Sequence, residues 1–249
     1  MTDTTTEIPA PQIIKNTQML IVGYEADPDV LSAALPPGLE PHPNNLIQMN
    51  MYRVPSADQT SHLDPYSLTY LTVEIEGHDS RALSNANGEL PVPGRFWVGY
   101  WNDSRAMREY NREIGGLPVR AGSCSWKEDD GHLTSTLSVD GDPVIETEAT
   151  VGETQIDTLT GHLNYYSHKQ VPDPTGDRPD IDELVEFPIP FTSELYEADV
   201  EDITFSFPDD AGFQEFAPIE PLSTPSVLYG TVTFTYPQGR VFKNYHTDG

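Results

Sequence analysis

Apolar and polar residues alternate with a period of two along much of this chain, the pattern of strands that bury one face. The run LIQMNMYRV, Leu46 to Val54, puts Ile47, Met49, Met51 and Arg53 on one face and Gln48, Asn50 and Tyr52 on the other. QMLIVGYEA (Gln18 to Ala26), YSLTYLTVEIEG (Tyr66 to Gly77) and GRFWVGYW (Gly94 to Trp101) are rich in β-branched and aromatic residues and predict further strands. AGSCSWK, LTSTLSV and PVIETEATV are separated by EDDGH and VDGDP, each holding Asp-Gly. That dipeptide tolerates the left-handed backbone of a tight hairpin, so the three segments predict an antiparallel meander. Later strands are expected at LYEADVEDITFSF, SVLYGTVTFTY and RVFKNYH, after a polar, proline-rich loop from Pro172 to Asp182.

Two segments change period. In DPDVLSAALPPG, Asp27 can cap a helix, Pro28 suits its first position, and Pro36-Pro37-Gly38 ends it. In NDSRAMREYNREIGG, Asn102, Asp103 or Ser104 can cap, Met107, Tyr110 and Ile114 form an apolar stripe, and Gly115-Gly116 supply the stop. Strands dominate, with a few helices, which predicts a closed or nearly closed antiparallel sheet.

Composition sets outer limits. A chain of 249 residues with 37% hydrophobic residues can bury one sizeable core. A flexible polar tail is expected over residues 1–12 and a single domain over 13–249. The start of the chain, MTDTTTEIPAP, lacks an apolar core, so it does not read as a signal peptide. No apolar run approaches the ~20 residues of a membrane span. One cysteine, Cys124, excludes an internal disulfide and fits a cytoplasmic setting. With 13 Lys and Arg against 40 Asp and Glu, the formal net charge is -27. Such a surface repels nucleic acid and anionic membranes. A salt-rich host or simply a solvated acidic surface accounts for it. An anionic ligand would need a local cation to offset that field, which draws attention to each arginine.

The common catalytic signatures are absent: no G-x-S-x-G elbow, P-loop, dinucleotide glycines, H-E-x-x-H or paired C-x-x-C. His162 and His168 share a spacing but lack convergent partners, and the aspartates of Pro172–Asp182 do not match a calcium loop, so no metal or cofactor is expected. Cys124 reads as a buried structural thiol and Lys127 as a solvated charge.

Four blocks, in order, carry a resemblance. They are YEADPDVLSAALPPGLEP (Tyr24 to Pro41), GYWNDSRAMREYNREIGGLPVRAG, LNYYSHKQVPDPTGDRPDIDELVEF and PIEPLSTPSVLYGTVTFTYPQGRVFKNYH. Over roughly residues 13 to 246 the chain resembles the acetoacetate decarboxylase-like superfamily. The resemblance implies a cone-like antiparallel β-barrel with flanking helices, a pocket inside it, and a homo-oligomer. It also implies a reactive lysine after a proline, which forms a Schiff base with a keto acid. Here the proline is Pro118, the attacking position is Val119 and the neighbour is Arg120. The family's early arginine aligns with Thr17, and its pocket glutamates align near Asn50 and Leu68. The amine and the carboxylates that tuned it are missing together.

What the resemblance then implies is an enzyme without Schiff-base chemistry, of lyase, dehydratase or cyclase type, on a carbonyl-containing or polyketide-like small molecule. Arg120 is the leading catalytic candidate, as a guanidinium for a carboxylate or enolate, with a rim arginine as the alternative. Arg95 and Glu113 follow, Glu113 being equally compatible with a structural ion pair. Thr17, Asn50, Leu68, Tyr70, Tyr100 and Val119 are expected to contact substrate, with ordinary packing as the alternative. Two other readings stay open: a binding protein that kept the barrel, and a true decarboxylase in which Lys169 is the displaced amine.

Overall fold

The computed structural model describes residues 11–61, 63–172, 179–206, 221–223 and 225–247. Its strands are β1 (Gln12–Glu25), β2 (Leu46–Val54), β3 (Tyr66–Ser84), β4 (Gly88–Asn102), β5 (Val119–Ala121), β6 (Ser123–Asp129), β7 (His132–Val139), β8 (Asp142–Gln155), β9 (Leu159–Val171), β10 (Ile181–Phe205), β11 (Ser226–Tyr236) and β12 (Arg240–Asn244). The helices are α1 (Pro28–Ala34) and α2 (Arg105–Gly115). Residues 1–10 of the expected tail and 173–178 of the expected loop lie outside the described residues.

The ladders close on themselves. β1 pairs with β2, β2 with β3, β3 with β9, β9 with β10, β10 with β11, and β11 with β1, all antiparallel. This ring is a barrel, and closure removes the exposed edges that an open sheet would carry. Two pairings run the other way: β4 lies parallel to β5 and, over Arg95 and Phe96, to β9. α2 explains the first, because a helical crossover brings the chain back in the direction it left.

A second layer covers one side of the barrel. The far half of β10 pairs with β8, and the hairpins β8–β7 and β7–β6 continue the meander. Both expected turns form, with Asp130 and Gly131 at φ 48 and 81 and Asp140 and Gly141 at φ 53 and 95. Leu133, Leu137, Ile145 and Ala149 of this layer pack against Leu20, Met49, Met51 and Leu71 of the barrel wall. The wall is therefore buried on both faces, and Tyr66 to Ile75 of β3 are buried without a break. In β2, Ile47, Met49 and Met51 face the outer layer while Gln48, Asn50 and Tyr52 turn inward, as the alternation predicts.

β10 begins well before Leu195, where the sequence pattern places it, despite Pro188 and Pro190. β12 pairs with Glu183 to Glu186 and β11 with Phe191 to Ala198. The two prolines fall in the gap between these partners, where no ladder needs their missing N–H. Their other edge pairs normally with Asn164 and His162 of β9.

α2 sits at one end of the barrel. Ser104 caps it by accepting from the Met107 N–H, and Met107 and Tyr110 face the interior. Gly116 ends it at φ 62. The orphan carbonyls of the last turn are answered from β9: Ser167 Oγ donates to Gly115, and Lys169 Nζ to Glu113 at 2.8 Å. A Cβ on Gly116 would lie 2.5 Å from Lys169 Cα. Replacing Gly116 with alanine should therefore lower stability by roughly 2 kcal/mol or more, combining left-handed strain with a backbone clash. Equilibrium urea unfolding checks this, and a change below about 0.5 kcal/mol would refute the close packing of α2 on β9.

Candidate functional site

Every second residue of the barrel strands points inward, and at one level those side chains do not meet. They leave a cavity of about 250 Å³. Its walls are mostly apolar, with Ile189 and Leu195 from β10 and Val232 and Phe234 from β11. Volume bounds the guest. A dry cavity of ~150 Å³ accepts benzene, so this one holds on the order of ten non-hydrogen atoms.

Polar lining comes from Gln48 and Asn50 of β2, Tyr70 of β3, Arg95 of β4 and Tyr165 of β9, and also from Ser193 of β10 and Ser226 and Tyr236 of β11. Arg95 is the one charged residue among the described lining residues. Its ladder partners fix its setting: Glu74 across β3–β4 and Tyr165 across β4–β9. Arg95 Nη1 donates to the Tyr165 hydroxyl at 3.3 Å, and the guanidinium lies 5.9 Å from that ring's centre. Tyr165 and Tyr70 share a hydrogen bond of 3.1 Å. That bond uses one of the two phenolic protons, so the other is left for a ligand. Glu74 is 4% exposed. Its carboxylate accepts from Asn44 Nδ2 at 2.7 Å and Gln48 Nε2 at 2.9 Å.

Burial opposes the charge on Arg95, but the Tyr165 hydroxyl and Glu74 outweigh it and hold the pKa above the ordinary arginine value. Phenols are neutral near pH 7, so the lasting counter-charge is Glu74. Burial, reinforced by Tyr165, pushes Tyr70 well above the usual phenol range. Tyr70 is thus a hydrogen-bond donor or acceptor and not a phenolate.

The sequence candidates divide into groups. Arg95, Asn50 and Tyr70 line the cavity. Tyr100 does not, but stacks on Tyr70 with centroids 5.8 Å apart, and its hydroxyl accepts from Asn111 Nδ2 of α2. Val119 is 5% exposed, paired with Tyr100, and packed in the same aromatic cluster away from the cavity lining. Thr17 and Leu68 each stop two residues short of a lining position, which Met19 and Tyr70 occupy. Thr17 is fully buried and donates to the Arg53 carbonyl at 2.6 Å, beside the bulge at Asn16. Arg120 is half-buried, one residue along β5 from Val119 and so on the opposite face, and Glu113 is exposed on α2. Neither lines the cavity. Lys15, Lys127, Lys169 and Lys243 are also absent from the lining, and Lys169 reaches the end of α2 instead.

Tyr165 and Met19 escaped the sequence reading. The parity of their strands points to them, since Leu163 and Tyr165, like Met19 and Ile21, share one face. Cys124 is buried against Ser135, and burial raises its thiol pKa, which suits a structural role.

Comparison with known proteins places this geometry. The acetoacetate decarboxylase family model matches residues 1–246. No curated protein matches the chain. Among solved structures, an acetoacetate decarboxylase superposes with TM-score 0.79 at 18% identity, covering 98% of this chain and 95% of its own. The acetoacetate decarboxylase of Legionella pneumophila gives 0.78 at 17% identity, covering 98% and 96%. The enduracididine biosynthesis enzyme MppR, complexed with the condensation product of pyruvate and imidazole 4-carboxaldehyde, gives 0.71 at 17% identity, covering 98% and 93%.

Placing a lysine at position 119 would bury an ammonium among phenols and aliphatic side chains. Val119→Lys should destabilise the fold by on the order of 2–4 kcal/mol at pH 7. Burial would depress that lysine's pKa, so the unfolded state would hold more protons and the penalty should shrink as pH rises toward 10. Unfolding curves at several pH values test this, and an unchanged midpoint would mean that Val119 borders open space.

Proposed function

This chain belongs to the acetoacetate decarboxylase family, and from that premise we propose that it is an enzyme acting without a Schiff base on a small carbonyl-containing carboxylate. The observation that carries the reading is the cavity itself: an apolar chamber whose one charged lining residue, among those described, is an arginine and not a lysine. Arg95 would hold the carboxylate among mostly apolar walls, where a charge is screened less than at the open surface. The spare phenolic proton of the Tyr70–Tyr165 pair would donate to a carbonyl oxygen. No carboxylate, imidazole or amine appears among the described lining residues. The reading therefore favours a cyclisation or elimination in which the substrate supplies its own reacting groups. The walls would hold those groups in a reactive conformer, with effective molarities of order 10⁵ M or more. The size of the cavity favours a short chain over an extended polyketide.

MppR, bound to a pyruvate condensation product, supports the idea that this fold accommodates carbonyl chemistry beyond decarboxylation. The proposal invokes no metal or cofactor. It includes a homo-oligomer in the cytoplasm, without nucleic acid or membrane partners, in keeping with the net charge of -27. No helix among the described residues is long and apolar enough to cross a membrane. A second reading, a non-catalytic binding protein, draws on the same missing acid–base groups. Native mass spectrometry separates the two, because a guest recovered unchanged after incubation favours binding alone.

Two measurements test the enzyme reading. Borohydride treatment in the presence of acetoacetate should leave every lysine unmodified by mass analysis, and an adduct on Lys169 would restore the imine mechanism. Binding of a short keto acid should stay level from about pH 6 to about pH 9, because Arg95 and Tyr70 have pKa values raised above already high reference values and keep their protons throughout. Arg95→Met should weaken that binding by roughly tenfold to a hundredfold in calorimetry. The paired variant Arg95→Met/Glu74→Gln removes both charges and keeps the test readable if the single variant misfolds.

A further inference from the structure

Two buried polar atoms at the cavity have no hydrogen-bond partner among the described residues, Nε of Arg95 and Oδ1 of Asn50. They are opposite in kind. Arg95 Nε is a donor and calls for an acceptor, whereas Asn50 Oδ1 is an acceptor and calls for a donor. Asn50 is 2% exposed, so bulk water does not satisfy it. Its orientation is set from behind, since Asn50 Nδ2 faces Met19 Sδ at 3.3 Å. Turning the amide over would set oxygen against sulfur, two acceptors, and leave the Nδ2 protons without a partner.

The two atoms mark the ends of one polar arc. Asn50 and Tyr70 are ladder partners on the inner face of β2 and β3. Tyr70 bonds to Tyr165, and Tyr165 accepts from Arg95. Read along the arc, the lining offers a donor at Arg95, one phenolic proton in the middle, and an acceptor at Asn50. The rest of the wall is mostly apolar. A plain carboxylate answers Arg95 and the phenol and leaves Asn50 unanswered.

We infer that the cavity takes a small hydroxycarboxylate, with its carboxylate at Arg95 and a hydroxyl, alcoholic or enolic, donating to Asn50. This rests on the anion-binding reading given above and narrows it. A buried acceptor left empty penalises any ligand that covers it without a donor, so discrimination for the hydroxyl exceeds what one more contact would give. A cavity for about ten non-hydrogen atoms makes six-carbon acids suitable probes.

The test is calorimetric titration with hexanoate, with 2-, 3- and 4-hydroxyhexanoate, and with their methoxy counterparts, which keep an oxygen but lose the donor. At least one hydroxy acid should bind roughly tenfold or more tighter than hexanoate and than its own methoxy ether. In Asn50→Leu that margin should vanish, so that hydroxy acids and hexanoate bind alike. The free Asn50→Leu protein should also melt no lower than the wild type, because an amide whose oxygen is buried without a partner, and whose nitrogen meets only a thioether, is exchanged for an apolar group of similar size. Equal binding of hexanoate and every hydroxy acid to the wild type would overturn the inference, as would a margin that survives Asn50→Leu. If no acid binds, or if Arg95→Met leaves binding intact, the anion-binding reading itself falls.

Discussion

A guanidinium inside a protein is tolerable only when opposite charge and hydrogen bonds replace the water it has lost. The cavity is organised around that requirement at Arg95. Strand register, not chain proximity, supplies the answer: Glu74 lies across one ladder and Tyr165 across the other. Glu74 in turn is held by Asn44 and Gln48, so its carboxylate is committed to the wall and does not enter the cavity. The cavity therefore keeps a positive end, although the protein as a whole is strongly acidic. In a low-dielectric chamber one local cation outweighs many screened surface charges, because exposed charges beyond a Debye length of ~10 Å contribute little.

Around this cation the interior has been filled with phenols. Tyr52 packs edge-on to Tyr66 and Tyr70, Tyr70 stacks on Tyr100, and Tyr165 stacks on Trp97. A tyrosine core has a physical logic where a reactive amine is absent. An amine nucleophile needs a carboxylate or another cation to tune it, and a carboxylate without its cation is an uncompensated buried charge. Phenols avoid both demands. They stay neutral at physiological pH, they bury large apolar area, and each carries one polar handle. Val119 belongs to this packing. Asn111 and Arg112 of α2 tie it in, the first through the Tyr100 hydroxyl and the second through the Val119 carbonyl.

The architecture protects this arrangement. The closed ring of ladders leaves few soft edges, and the outer meander buries the wall strands on their second face. The outer meander packs on the wall strands from behind, which supports the inward side chains around the cavity. α2 closes the end of the barrel near Val119, fixed by Ser167 and Lys169 of β9. A lysine that could have served as a displaced nucleophile thus holds a helix terminus instead.

The sequence alone determined a good deal. Period-two alternation placed most strands, Asp-Gly fixed both hairpins of the meander, and Asp27, Ser104 and Gly116 bounded the helices, because each of these is a local property of backbone and side chain. It also showed that position 119 carries no amine. Tertiary structure decided the rest. Arg95 and Arg120 are both arginines beside aromatic strands, and nothing local separates them. Only the register of β4 against β3 and β9 sends Arg95 inward, and only the parity of β5 sets Arg120 on the face opposite Val119. Thr17 and Leu68 missed the cavity by one inward step of a strand. Which inward position borders a void and which is packed solid depends on side chains arriving from strands far apart in the chain. Pro188 and Pro190 carry the same lesson, since a proline is harmless in a strand when the edge it faces has no partner, and the sequence does not record which edge that is.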